Sequence, residues 1–575
     1  MSLLKESFYK LNLVFILLFS EYVSSMDTIT VPDMMFSIDH EKRLIVTNYD
    51  VNLINSSRIR PKAFIRMDKV YEFDDAVENL EIGIEYQITN SAGNSKYGLH
   101  FTQLPIIRIE TESKIVDEPR VMAMFIMVES NKKKTVSDIG IEYRGGWSQN
   151  YPKKSFRIEF LKDTITRKTR NVSLLDMRSD DDWNLQGMYN EPLRLRSKVC
   201  FDLWKMIHIL HYKSQEPEAV NGIEMKYAEL FLNGSYQGVY CVSERVDRKQ
   251  LKLKKSDNKI RGELYKGISW GGACTFDLLP DYNNETDVWG GLEYEYPEKI
   301  YWDNIYAFVD FVINETDEQF YSKYQSFFNI DNAVDYFIFL NLLRATDNMG
   351  KNIYIAKYDA GQQYFYIPWD LDGTFGIMWD GCRDNVTNDL LTNGFYRRLW
   401  HDCSKNGFRE KLKAKWEHLR DSVVTIEKLT GTFQNNYDYL NESGVYQREV
   451  LVWDSCSPGP QDLQYMFQWI EKRLEYLDSR FSEKCEQSKI VNRNIKKRQI
   501  FKCYPNPVSS IAKFDFQSDN LFQVSIFDNK GRLLLSDILN NKKRQICVDK
   551  LAAGIYYLKV RSDGVNRAEK IIIQK

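Results

Sequence analysis

The sequence predicts an α+β protein. A mixed region spanning about 104–484 is preceded by a small all-β unit (26–103) and followed by a β-sandwich (503–575). Three observations carry this. Both ends show period-two alternation broken by Gly, Asn and Ser. The middle carries apolar residues at helical spacing. A polar, basic stretch, 485–502, has no apolar periodicity and reads as a linker.

Element by element, "KRLIVTNY" and "EYQITNSAGNSKYGLHFTQL" are strands of the first unit. "LPIIRIET", "RVMAMFIMVES" and "SFRIEF" continue as strands into the middle. Leu195, Val199, Leu203, Met206 and Leu210 mark a helix. Asn233-Gly234 joins two strands by a strong hairpin signal. "NAVDYFIFLNLLRAT" reads as a helix, and "NIYIAKYDAGQQYFYIPWDLD" as a hairpin turning near Asp359-Ala360-Gly361. "LQYMFQWIEKRLEYLDSRF" is an amphipathic helix that closes the region. The last 73 residues are strands with Asn-Lys-Gly and Ser-Asp-Gly turns.

At 575 residues and 14% aromatic content, the chain has material for a large core. A formal net charge of −2 gives no support for nucleic acid as a partner. A lysine-bearing start, the apolar run "LNLVFILLFS" and small residues before Met26 read as a signal peptide over 1–25. That run is shorter than the roughly 20 residues needed to span a bilayer, and no later segment qualifies. Export permits disulfides among the nine cysteines. Cys382–Cys403 and Cys456–Cys485 are plausible bridges, and without any CxxC pair a zinc site is unsupported.

The chemistry concentrates in "RATDNMGKN" and "IPWDLDGTFG". If Asp370 and Asp372 lie on a strand, they share a face. Two such carboxylates repel unless a cation or a proton intervenes, and hard oxygen ligands suit Mg²⁺ or Ca²⁺. An EF-hand is excluded, because Thr374 and Phe375 break its pattern. Asp347 and Asn352 are five residues apart, the interval between base and asparagine in a protein-kinase catalytic loop. A later aspartate on a hairpin completes that order, with Asp347 meeting the acceptor hydroxyl and Asn352, Asp370 and Asp372 at the metal. Upstream, Arg144-Gly145-Gly146 is a turn able to approach phosphates, and Lys153 and Lys154 begin the next strand, where a phosphate-pairing lysine belongs. Glu244 ends a later strand at a position suited to an adenine. The plainer readings are a hairpin turn, a solvated lysine face and turn-capping aspartates.

Five ordered blocks, "YRGGWSQNYPKKSFRIEF", "PLRLRSKVCFDLW", "LFLNGSYQGVYCVSERVD", "DNMGKNIYI" and "PWDLDGTFG", resemble the CotH family of spore-coat-protein kinases. The resemblance implies an atypical, two-lobed protein-kinase-like fold that transfers phosphate from ATP to serines of a protein, with Mg²⁺ or Mn²⁺. It places Lys154 or Lys153 at the phosphates, Asp347 as catalytic aspartate, and Asn352 and Asp370 at the metal. Arg144, Ser148, Arg196, Asn233, Gly234, Glu244 and Lys351 also match recurring family positions, although the Arg196 block reads Arg-Ser where Arg-Asn is usual. That departure falls on a helix, away from the expected metal site. The tail, "YPNPVSSIAKFDF" through "AAGIYYLKV" to "KIIIQK", is similar to the C-terminal sorting domain of the type IX secretion system of Bacteroidetes. It implies export through that machinery to the outside or the outer-membrane surface.

Two further function classes stand beside the kinase. One is a catalytically inert binding, adhesion or surface-structural protein on the same scaffold, since a fold does not dictate an activity. The other is a glycan hydrolase, whose carboxyls stand about 5–9.5 Å apart, a demand that Asp347 with Asp370 could meet.

Overall fold

The computed structural model describes residues 28–453, 459–485, 501–516, 522–528, 532–540, 543–562 and 565–575. The signal-peptide stretch 1–25, most of the 485–502 linker, Cys456 and the tips of the two tail turns fall outside the described residues. The chain divides into two compact units, with the boundary between Gln487 and Ser488.

In the first unit, residues 28–101 build a seven-stranded sheet. Its buried face gathers Ile45, Ile65, Tyr71, Ile88 and Leu99. The sheet is fastened to the next one along the chain: the buried Asn48 amide donates to the Val128 carbonyl at 2.7 Å, and Asp39 accepts the Tyr236 N–H at 2.9 Å. Both sheets belong to one compact unit.

That next sheet has eight strands, and its strand Lys134–Arg144 pairs antiparallel with Ser155–Asp163. "SFRIEF" alternates as the sequence requires: Phe156, Ile158 and Phe160 are buried in one core, while Ser155, Arg157 and Glu159 face the other way. Met225–Leu232 and Ser235–Ser243 form the expected hairpin, with Asn233 (φ 48°) and Gly234 (φ 73°) both in the left-handed region that this tight turn needs.

A five-stranded sheet holds the second hairpin, Ile353–Lys357 with Tyr364–Pro368. Every residue of both strands is buried, and apart from Lys357, which is paired to Glu263 at 2.7 Å, no residue on either face is charged. Against them lies the helix Ile330–Leu343, buried on nearly all sides and surrounded by the helices Arg196–Ile207, Phe408–Arg420 and Pro460–Ser482. The Arg196–Ile207 helix departs from the expected stripe. Met206 is exposed and Leu210 lies past the helix end, because the chain turns extended at His208.

The disulfide also differs from expectation. Cys403 bonds Cys485, with Cα atoms 5.6 Å apart, and Cys382 is a free, exposed thiol. The bridge joins residues 82 apart, a distance in sequence that spacing alone does not reveal. Among the described residues, no helix is long and apolar enough to cross a membrane.

His211 supplies a pH handle on stability. It lies edge-on to Tyr212 and Phe365, its ring nitrogens make no hydrogen bond among the described residues, and burial, then the nearby His208, pushes its pKa down to about 4. The unfolded chain takes up this proton below its ordinary value of 6.5, whereas the folded chain resists until about 4. Stability is therefore lost as pH falls through that window, by about 2 kcal/mol at pH 5. His211→Phe should flatten this part of the pH dependence in urea titrations at pH 8 and pH 5; an unchanged slope would refute the assignment.

The second unit is all-β. Phe501–Tyr504, Ile511–Phe516 and Gln545–Cys547 make a three-stranded sheet, and four strands between Phe522 and Ile573 make another. Ala512, Phe514 and Phe516 alternate inward and share one core with Val524, Ile526, Leu558 and Val560 from the other sheet.

Candidate active site

The site begins where the Ile330–Leu343 helix stops. Arg344 ends it in the left-handed conformation (φ 48°), and its guanidinium grips Asp389 at 2.8 and 2.9 Å and Asp384 at 2.5 Å. The loop beyond it presents Asp347, whose carboxylate accepts from Lys351 Nζ at 3.1 Å and from Asn352 Nδ2 at 2.9 Å. Burial raises the Asp347 pKa against the pull of Lys351.

Asn348 joins this loop to the second acidic segment. Its buried amide donates to the carbonyls of Asn352 (2.8 Å) and Trp369 (2.6 Å), and the Trp369 N–H returns to the Asn352 carbonyl at 3.2 Å. Asp347 and the segment 369–372 are thus held as one piece, close enough for the charge of Asp370 to raise the Asp347 pKa.

The two aspartates do not share a strand face. The strand ends at Pro368, and Asp370 sits beyond it in the left-handed region (φ 55°). That twist turns Asp370 out to solvent while Asp372 stays half-buried and accepts the Asn190 amide at 2.7 Å. Burial, then the charge of Asp370, pushes Asp372 up to about 7. Behind them Arg196 holds the loop, donating to the Thr374 carbonyl at 2.9 Å and the Phe375 carbonyl at 3.4 Å. Arg196 therefore supports the acidic loop directly, while the departing residue, Ser197, falls on the helix Arg196–Ile207 as expected.

The glycine turn faces this loop. Gly145 (φ 102°) has no room for a Cβ beside the Ser148 hydroxyl, and Ser148 lies half-buried within the short 3-10 turn Trp147–Asn150. The Trp147 ring meets Trp379 edge-on at 5.6 Å, and the Tyr151 hydroxyl, pushed up to about 12 by burial and then by Asp372, reaches toward the Trp379 carbonyl at 3.5 Å. Arg144 stacks over the Trp369 ring, 5.5 Å from its centroid.

The lysines go elsewhere. Lys153 precedes the strand instead of lying on it and is fully buried, with its ammonium on Glu449 and on the Val239 carbonyl, both at 2.6 Å. Lys154 folds back onto its own turn, donating to the carbonyls of Gln149 (2.6 Å) and Tyr151 (2.7 Å). Glu244 is buried under Gln250 (3.0 Å), the Glu224 N–H (3.1 Å) and Arg178 (3.7 Å), so its carboxylate is spent on the chain segment around it. Asn233 and Gly234 serve the hairpin turn, with the Asn233 side chain accepting the Thr111 N–H at 2.8 Å.

Among the described residues, no three His, Cys, Asp or Glu side chains gather into a metal cage. The donor chemistry still fits a hard divalent ion. Mg²⁺ commonly takes one or two protein carboxylates and completes its shell with water and substrate phosphate, and the mutual repulsion of Asp370 and Asp372 is what a cation relieves.

The profile of the CotH kinase protein family matches residues 141–477, from the strand before the glycine turn to the closing helix. This chain belongs to that family. Its matched span contains Arg144, Asp347, Asn352, Asp370 and Asp372. The chain is also 25% identical over 335 residues to the inner spore coat protein H of Bacillus subtilis (strain 168), covering 58% of this chain and 83% of that protein. Residues 502–574 match a secretion system C-terminal sorting domain, a tail that implies export to the cell surface or beyond through the type IX machinery.

Sequence reasoning passed over Asn348, Asn190 and the reach of Arg196. Asn348 had a readable signal, since it lies between Asp347 and Asn352. Asn190 had none, because its partner is 182 residues away.

Proposed function

We propose that this exported CotH-family protein is a protein kinase, moving the γ-phosphoryl group of ATP to a serine hydroxyl of a protein with the help of Mg²⁺ or Mn²⁺. The observation that carries this reading is the Asn348 clasp, which holds Asp347 and the Asp370–Asp372 loop as one unit opposite the glycine turn.

In this reading Asp347 accepts the proton of the serine hydroxyl as its oxygen attacks the γ-phosphorus. The new O–P bond forms as the bond to the ADP oxygen breaks. Lys351 and Asn352 hold the carboxylate by its Oδ2 atom and fix its direction. Asp370, Asp372 and the side-chain oxygen of Asn352 would hold the cation, which supplies charge neutralisation for the phosphates. The Trp147–Asn150 turn faces the site through the edge-on contact of Trp147 with Trp379.

The test is incubation of the purified mature chain with γ-labelled ATP and Mg²⁺ or Mn²⁺, alongside thermal melts with each component. Label on the chain itself or on a co-secreted protein, with metal-dependent stabilisation by ATP, is the expected result. No transfer and no stabilisation would overturn the reading in favour of an inert binding or adhesion protein.

A further inference from the structure

Where the strands Lys134–Arg144 and Ser155–Asp163 pair, the face of the eight-stranded sheet that turns away from its core carries charge instead of apolar side chains. Glu142 and Arg157 stand directly opposite each other, and Arg144 lies two residues along the same face. Arg245 joins them from just past the strand Ser235–Ser243, and Arg120 from just before the strand Val121–Val128, which pairs with Lys134–Arg144.

Carboxylates on this wall are outnumbered. Asp182 serves three guanidiniums at once: Arg245 at 2.7 Å, Arg120 at 3.1 Å and Arg157 at 3.4 Å. Glu142 is divided between Arg120 (3.1 Å) and Arg157 (3.8 Å), and Glu159 belongs to Arg120 (2.6 Å). Among the described residues, the buried Arg157 Nε has no hydrogen-bond partner. Arg144 makes no ion pair among the described residues and rests on Trp369. Burial and then the surrounding guanidiniums lower the pKa of both Arg144 and Arg157, and Arg245 acts on each. The five-stranded sheet supplies Tyr354, Lys266, Glu293 and Glu295, whose charges are felt across the gap, with Asp370 at its end.

We propose that Arg144, Arg157 and Arg245 form an anion site that holds the phosphate chain of a nucleoside triphosphate, in place of Lys153 and Lys154. Guanidiniums with donors to spare match phosphate oxygens in charge and in fork geometry. The site lies beside Asp370, where a transferred phosphoryl group has to arrive. The inference rests on the kinase reading for its nucleotide and on the sheet geometry for its residues.

The experiment measures the affinity of ATP with Mg²⁺, inorganic tripolyphosphate and adenosine for wild type, Arg144→Gln, Arg157→Gln, Arg157→Lys and Lys154→Gln. Both glutamine variants of arginine should weaken ATP and tripolyphosphate by about tenfold or more and leave adenosine unchanged. Arg157→Lys should retain part of the affinity, and Lys154→Gln should stay within about threefold of wild type. Arg144, free of ion pairs, decides the matter if Arg157→Gln does not fold. Wild-type affinity in the arginine variants, an equal loss in Lys154→Gln, or a parallel loss of adenosine would each overturn the proposal. If wild type binds tripolyphosphate through these arginines yet transfers no phosphate, the anion site stands and the kinase reading falls. If phosphate is transferred and the arginine variants bind like wild type, the kinase reading stands and the anion site falls.

Discussion

Asp347→Asn is expected to cut phosphotransfer by about 100-fold or more while the unliganded protein melts within about 2 °C of wild type. The reason lies in what the change removes. The asparagine keeps the size of the side chain and an oxygen for Lys351 and Asn352, so the loop keeps its shape. It loses the negative charge, and with it the ability to take a proton. Because burial raises the Asp347 pKa, its conjugate acid is less acidic than a free carboxyl, so the carboxylate is a stronger base than an exposed one. Initial rates with labelled ATP, set beside a thermal melt, check both halves. Wild-type turnover in the purified variant would remove Asp347 from the chemistry.

The second large effect is on stability. Glu449→Gln should cost about 3–5 kcal/mol, whereas Lys154→Gln should cost less than about 1 kcal/mol. Glu449 lies in the helix Val445–Val450, 296 residues from Lys153 in sequence, and it is enclosed completely. It accepts from Lys153 and the Val239 N–H at 2.6 Å, and from Arg194 at 3.1 Å. Burial would raise its pKa, but the two cations outweigh that and hold it below the ordinary value. Taking away the charge leaves two buried cations without their partner. Lys154 bonds only carbonyls of its own turn, and water can replace those bonds. Urea unfolding of the two variants should separate them clearly; equal midpoints would contradict the assignment.

These two cases show what was legible in the residues. "ATDNMGKN" and "PWDLDG" drew attention by order and spacing: Asp347, Lys351 and Asn352 lie within one short stretch of chain, and Asn348 ties that stretch to the Trp369 carbonyl beside Asp370. The paired lysines were ambiguous, because a lysine beside a glycine turn reads the same whether it faces a phosphate or, as Lys153 does, a buried glutamate. The polar positions of "SFRIEF" were already visible as Ser155, Arg157 and Glu159, and the alternation that defined the strand also named its outward arginine. What stayed hidden was which face would meet the second sheet.

Residue order alone set the local elements: the Asn233-Gly234 turn, the apolar-rich helix Ile330–Leu343, the alternating strands and the sorting tail. These depend on side-chain periodicity and backbone preference over a few residues. Tertiary packing decided the rest. It paired Cys403 with Cys485, gave Lys153 to Glu449, brought Arg196 under the acidic loop and ended the strand before Asp370, which takes a left-handed backbone. Each is a contact between distant positions, or a backbone turn forced by one. Such partners follow only from how the sheets and helices pack, which no short window of sequence contains.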